Sequence, residues 1–215
     1  MIVLFVREPP RPEGLAPVRS PLSRAQIARL GSAFWIVVVL ASAFTLARFS
    51  EAFLLLRATN VGLAAGRAPL VLIVMNIVYS ASAYWFGHLS DRVNRGSLLA
   101  AGIGFLIAAD LILAAANSTS LVLIGSMLWG LHMGATQGLL AAIVAAAAPA
   151  NLRATAFGLF NLVTGGALLL ASSLAGYFWT AYGPVVTFLA GAAFSTVALI
   201  GLVARLEVER SRPAD

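Results

Sequence analysis

The stretch Gly87-His88-Leu89-Ser90-Asp91-Arg92-Val93-Asn94-Arg95-Gly96 places one acid and two arginines in a very short polar segment between two long apolar runs, 68–89 and 97–116. A helix needs about 20 apolar residues to cross a bilayer, and each run is long enough. Two such helices joined by so few residues are antiparallel neighbours, with the polar turn at one membrane face. Working outward, four further apolar runs follow the same pattern, at 32–56, 121–147, 154–179 and 184–205. The breaks at 57–67, 90–96, 117–120, 149–153 and 180–183 carry the Gly, Pro, Asn and Ser that punctuate turns. Gly and Ala are spread through the runs, as in helices that pack closely inside a membrane. The reading is an all-α integral membrane protein with six transmembrane helices and both termini on one side.

Composition agrees. The 215 residues are 60% hydrophobic and 10% charged, whereas soluble domains average about 45–50% and about 25%. A soluble globular domain and a disordered chain are both excluded. Cysteine is absent, which removes disulfides, thiolate catalysis and cysteine metal sites. The net charge of +6 is carried by arginines scattered over short inter-span segments rather than on one stripe, so nucleic acid is not the expected partner. Assigned to alternating sides, eleven arginines, among them Arg92, Arg95 and Arg153, fall on one face, and only Arg57 and Arg67 on the other. By the positive-inside rule the richer side is cytoplasmic, and it holds both termini.

Residues 1–30 read as a cytoplasmic arm. Its 7–29 segment holds five Arg and five Pro, a composition that buries no core and is expected to be mobile and water-exposed. Met1 to Val6 is an apolar hexamer without the basic region or cleavage site of a signal peptide, and reads as the end of a helix. The transmembrane domain is expected over 31–206 and a cytoplasmic tail over 207–215.

The order Gly87-x-Leu89-Ser90-Asp91-Arg92-x-x-Arg95 resembles the G-x-L-(S/A)-D-R-x-G-R-(R/K) signature of the major facilitator superfamily. It departs at Asn94, where the family has Gly, and at Gly96, where it has a basic residue. Asn tolerates a left-handed backbone, so the turn is expected to survive. Arg153-Ala-Thr-Ala-Phe-Gly158, Asn161, Gly165-Gly166, Gly176-Tyr177-Phe178-Trp179 and Tyr182-Gly183-Pro184 are similar to the family's last two helices. Ala52-Phe-Leu-Leu-Leu-Arg57-Ala is similar to its seventh. The resemblance implies the carboxy-terminal six-helix half of a bacterial permease in the plasma (inner) membrane. Residues 7–30 would be the loop joining two halves, and 1–6 the last turns of the sixth helix. It also implies a gating motif of Gly87, Asp91, Arg92 and Arg95, with Gly87 permitting close helix approach and Asp91 making a contact that forms in one conformation and breaks in another.

Polar residues inside the spans are candidates for a substrate or proton site: Arg48, Glu51, Asn76, His132, Gln137 and Asn161. Arg48 and Glu51 stand three apart, on one face of the first span, where an isolated charge costs at least about 2.5–3.5 kcal/mol. They are expected to neutralise each other, either facing a central cavity or snorkelling near the interface. Asp110 approaches the far interface, which favours a capping or solvated role, with a buried proton relay as the alternative. Gly130, Gly134 and Gly138 form a close-packing stripe, and His132 is expected to bond a neighbouring helix, with proton shuttling as the alternative.

No phosphate loop, metal-ligand cluster or Gly-x-Ser-Gly nucleophile occurs, so enzyme, metal and cofactor readings are set aside. The expected function is transport of a small solute across the lipid bilayer by alternating access, as half of a secondary-active permease. The partner would be a missing amino-terminal half or a homodimer mate. The alternative is a truncated or non-transporting half that only folds in the membrane or regulates another membrane protein.

Overall fold

The computed structural model describes residues 24–210, and the elements of these residues are helical. A short helix, α1 (Arg24–Ala28), leads into α2 (Ser32–Leu46) and α3 (Ala52–Asn60). Then come α4 (Pro69–Ser90), α5 (Arg95–Ala115), α6 (Thr119–Ala147), α7 (Arg153–Tyr182) and α8 (Pro184–Arg210). Helices α4 to α8 are each long and apolar enough to cross a membrane. The expected breaks after 57, 90, 117, 149 and 180 fall where these helices end, within a few residues.

The first expected span differs. Instead of one helix over 32–56, the chain forms α2, leaves helical geometry at Arg48 to Ser50, and resumes as α3. Helix α2 has 15 residues, about 22 Å at 1.5 Å per residue, short of a hydrocarbon core of about 30 Å. Arg48 and Glu51 therefore stand on either edge of a break rather than on one face of a continuous helix. Two backbone groups beside the break find partners on other helices. The Ser50 N–H donates to Ser172 Oγ of α7 (3.0 Å), and Ser195 Oγ of α8 donates to the Ala47 carbonyl (3.3 Å).

Helix α3 ends by a capping device visible in its bonds. Gly62, at φ +99°, turns the chain back so that the Gly62 N–H reaches the Thr59 carbonyl and the Leu63 N–H reaches Ala58. Arg57, expected in an exposed loop, is instead buried in the last turns of α3. It donates from Nε to the Leu113 carbonyl (2.9 Å) and from Nη2 to Ala114 (3.1 Å) and Ala116 (2.6 Å). A cation thus satisfies the carbonyls left over at the carboxyl end of α5, where the helix dipole favours it.

Helix α6 is the centre of the packing, lying against α4 on one side and α5 on the other, while α8 closes on α5 and α7 on α2. Two apolar clusters result. One gathers Phe49, Phe53, Leu54, Leu106, Trp129 and Phe188 around the helix break; the other gathers Leu30, Phe34, Val38, Val144, Leu152 and Leu159. Leu30 is buried in the second cluster and Ile27 packs against it, so the arm's last residues are helical and docked rather than wholly water-exposed. The arm before residue 24, including 1–6, lies outside the described residues. At the other end, α8 continues to Arg210, past the expected boundary at 206.

The glycine stripe of α6 divides. A Cβ on Gly130 would meet the Met75 carbonyl, and one on Gly134 would meet Ser82 Oγ, so these two let α6 and α4 approach closely. A Cβ on Gly138 would meet nothing. Gly134→Leu is expected to cost about 1–3 kcal/mol by overpacking, seen as an earlier loss of monodisperse protein on heating in detergent. Gly138→Leu should match the parent. Equal behaviour of the two variants would contradict this packing.

Candidate functional site

The helix break brings together residues that are far apart in sequence. Arg48, at its start, is half-buried, and its electrostatic neighbours are Glu51 across the break and Tyr79 of α4. The Tyr79 hydroxyl donates to Gln137 Oε1 of α6 at 3.2 Å. Arg48 is in turn the charged neighbour of His132, one turn and a half before Gln137 on α6. A cation and a carboxylate at the break thus stand within electrostatic range of a phenol on α4, which bonds an amide on α6, and the cation is within range of an imidazole on α6. Four of the candidate residues, Arg48, Glu51, His132 and Gln137, belong to this group. Tyr79 joins them: its neighbour Asn76 has the same in-span polarity, but only the fold shows which of the two points toward Gln137.

His132 is fully buried, with its ring 5.5 Å from that of Phe44. Its Nδ1 lies 2.8 Å from the Gly102 carbonyl of α5. A carbonyl only accepts, so Nδ1 carries the hydrogen and Nε2 is left without a partner among the described residues. The expected bond to a neighbouring helix is present. It works because Gly102 is itself packed tightly: a Cβ there would sit 2.5 Å from the Thr136 methyl group.

Asp110 departs from its expected capping or solvated role. Its side chain is completely enclosed, and both carboxyl oxygens lack hydrogen-bond partners among the described residues. The cause lies in α8: Gly191 has no side chain, so α8 closes over Asp110. A Cβ there would be 2.7 Å from both Asp110 Oδ2 and the Phe49 ring. Phe49 is part of the break, and its ring centroid lies 5.4 Å from that of Trp129, the planes tilted by 58°; the Trp129 indole N–H is also unpartnered among the described residues. A buried polar group without a partner costs several kcal/mol and marks a place where structure is held for another purpose than stability. Beside the break, a cavity of about 140 Å³ separates Leu46, Ala47 and Phe49 from Ala171 and Ala175 of α7.

Two other candidates lie apart. Asn76 of α4 and Asn161 of α7 are exposed; Asn76 Nδ2 donates to the Leu72 carbonyl of its own helix. Both would meet whatever covers those helix faces.

The turn Gly87 to Gly96 joins α4 to α5. Asp91 is the residue after the last turn of α4, and Asp91, Arg92 and Arg95 are all exposed. Asn94 does not take a left-handed conformation. At φ −59° and ψ 126° it precedes the first turn of α5, and its Oδ1 accepts from the N–H groups of Gly96 (2.7 Å) and Ser97 (3.3 Å). It is a helix cap, which is why Asn replaces Gly here without damage. Gly87 is exposed and a Cβ on it would meet nothing, so the close approach expected there is not made to any described residue.

With this geometry in place, the comparisons with known proteins are consistent. The chain is 31% identical over 202 residues to a protein of Methanocaldococcus jannaschii described as an uncharacterized MFS-type transporter, an alignment covering 90% of this chain and 49% of that protein. The chain spans about half the length of this relative. The family model of the Major Facilitator Superfamily matches residues 52–215, from the start of α3 through all the long helices. A match over most of the chain, on an all-helical membrane fold, places the protein in the major facilitator superfamily.

Proposed function

We propose that the chain is one six-helix half of a secondary-active permease that moves a small solute by alternating access, with α2 and α3 together forming the first, interrupted span. The observation that carries this reading is the gathering of Arg48, Glu51, Tyr79, His132 and Gln137 at a helix break within the membrane. Discontinuous helices offer dipole ends and free backbone groups at mid-membrane, which is where transporters bind solutes and ions. Ionisable side chains are costly in a bilayer and are kept there for function.

In this reading Arg48 attracts an anionic group of the solute, Glu51 exchanges a proton, and the Tyr79–Gln137 pair orients the solute by hydrogen bonds. The half works with a second half, separately encoded or a second copy. The exposed Asn76 and Asn161 support this, because an amide turned toward lipid is unfavourable whereas one turned toward a shared aqueous cavity is not. In this reading both termini and the Gly87, Asp91, Arg92, Arg95 turn lie on the cytoplasmic side of a bacterial plasma membrane; the arginine bias supports that sidedness. There Asp91 alternates between an exposed state and a contact with a basic group of the partner half.

The test is uptake into proteoliposomes that hold the chain with its partner half, using a solute selected from labelled amino acids, sugars and organic ions. Asp91→Asn is expected to slow flux roughly tenfold, the loss of one charge-assisted hydrogen bond of about 1.5 kcal/mol or more, while insertion is unchanged. Unaltered flux would remove the gating role. Glu51→Gln is expected to abolish the pH dependence of uptake; an unchanged pH profile would make Glu51 structural.

A further inference from the structure

At the arginine-bearing end of the bundle, a cleft of about 1180 Å³ is lined by α2, α5, α6 and α8. Its walls are aliphatic: Ile36 and Leu40 from α2, Leu99 from α5, Leu140 and Ile143 from α6, and Val197 from α8 are among them. Ile36, Leu40 and Val197 are 49%, 48% and 70% exposed, so the cleft opens sideways, at the level of the helices. Among the described residues its rim carries the polar groups Ser90, Asp91, Asn94 and Arg95, all of the α4–α5 turn.

Such a space is not left empty. Aliphatic walls hold water poorly, and the helices that form them cross a membrane, so the medium at hand is lipid. The shape therefore asks for an amphiphile with its apolar part between the helices and its polar part at the turn. The rim defines that polar part. Arg95 is the first residue of α5, so its guanidinium and the positive end of the helix dipole act together on a negative group. Basic pockets between helices at the membrane surface bind lipid headgroups by this chemistry. Asp91 shares the rim and opposes accumulation of negative charge, which favours a headgroup with one phosphate over one with several.

We propose that the cleft is a phospholipid-binding site, with acyl chains between α2, α5, α6 and α8 and the phosphate on Arg95. The site is separate from the polar group at the helix break and does not rest on the transport reading. A lipid held there bridges the α4–α5 turn and the helix that leads into the break.

The test is native mass spectrometry of the full chain, purified in a maltoside detergent and titrated with dioleoyl phosphatidylglycerol or, as a phosphate-free probe, dioleoylglycerol. The parent should retain one phospholipid and bind it at least tenfold more tightly than dioleoylglycerol. Gly201→Trp places an indole in the cleft from a position where a Cβ meets nothing, and should weaken both ligands at least tenfold. Arg95→Gln, at an exposed position that does not threaten folding, should erase the preference for phosphate while leaving acyl-chain binding in place. Equal binding by the parent and Gly201→Trp would overturn the site. Equal binding of the two lipids by the parent, or recovery of a polypeptide cross-linked in the cleft instead of lipid, would overturn the proposal as well.

Discussion

Hydrocarbon offers no hydrogen bonds, so each backbone group that leaves helical geometry inside a membrane must be met by another part of the protein. The break at Arg48 to Ser50 is the place where this chain accepts that constraint, and much of the bundle is arranged around it. Ser172 of α7 meets the Ser50 N–H and Ser195 of α8 meets the Ala47 carbonyl. Phe49 anchors it among Phe53, Trp129 and Phe188. Arg57 fastens the helix beyond it to the end of α5 through three backbone carbonyls. With the segment pinned on both sides, the charged Arg48 and Glu51 are held beside α4 and α6, where Tyr79, His132 and Gln137 complete a polar group.

The same arrangement accounts for polar atoms that stay unpartnered among the described residues. Asp110 and the Trp129 indole N–H flank Phe49 under the break, and His132 Nε2 is buried beside α2. A core selected only for stability would replace them with apolar groups. Their retention beside an irregular backbone segment is coherent with a segment that changes conformation, and the adjoining 140 Å³ cavity gives it room. The chain thus carries its irregular backbone and its polar chemistry at the same place.

Most of the architecture is legible in residue order. Apolar runs with polar turns locate the five long helices, because some twenty consecutive apolar residues match the thickness of a bilayer and exceed what a buried strand or core helix needs. The turn at Asp91 and the repeated glycines near the carboxyl end carry the family resemblance. The break itself is not legible: residues 44–56, Phe-Thr-Leu-Ala-Arg-Phe-Ser-Glu-Ala-Phe-Leu-Leu-Leu, contain neither Gly nor Pro, and hydropathy does not register where hydrogen bonds stop. The burial of Asp110 is hidden because Gly191, eighty-one residues later, decides it, and that of Arg57 because its partners are carbonyls, which no sequence pattern shows. His132, by contrast, is legible, since a histidine amid closely spaced glycines on an apolar helix has little choice but a neighbouring carbonyl.

The interruption of the first span is the feature on which the polar group depends, and the absence of cysteine makes it directly measurable. Single cysteines placed in turn at positions 44 to 56 of the full chain in membranes, and labelled with a water-soluble maleimide, report the accessibility of each side chain without background. A break predicts that the 3.6-residue rhythm of protection fails between 47 and 51 and resumes out of phase from 52. An unbroken 3.6-residue rhythm from 44 through 56 would show a continuous helix, with Arg48 and Glu51 on one face, and would refute the interruption.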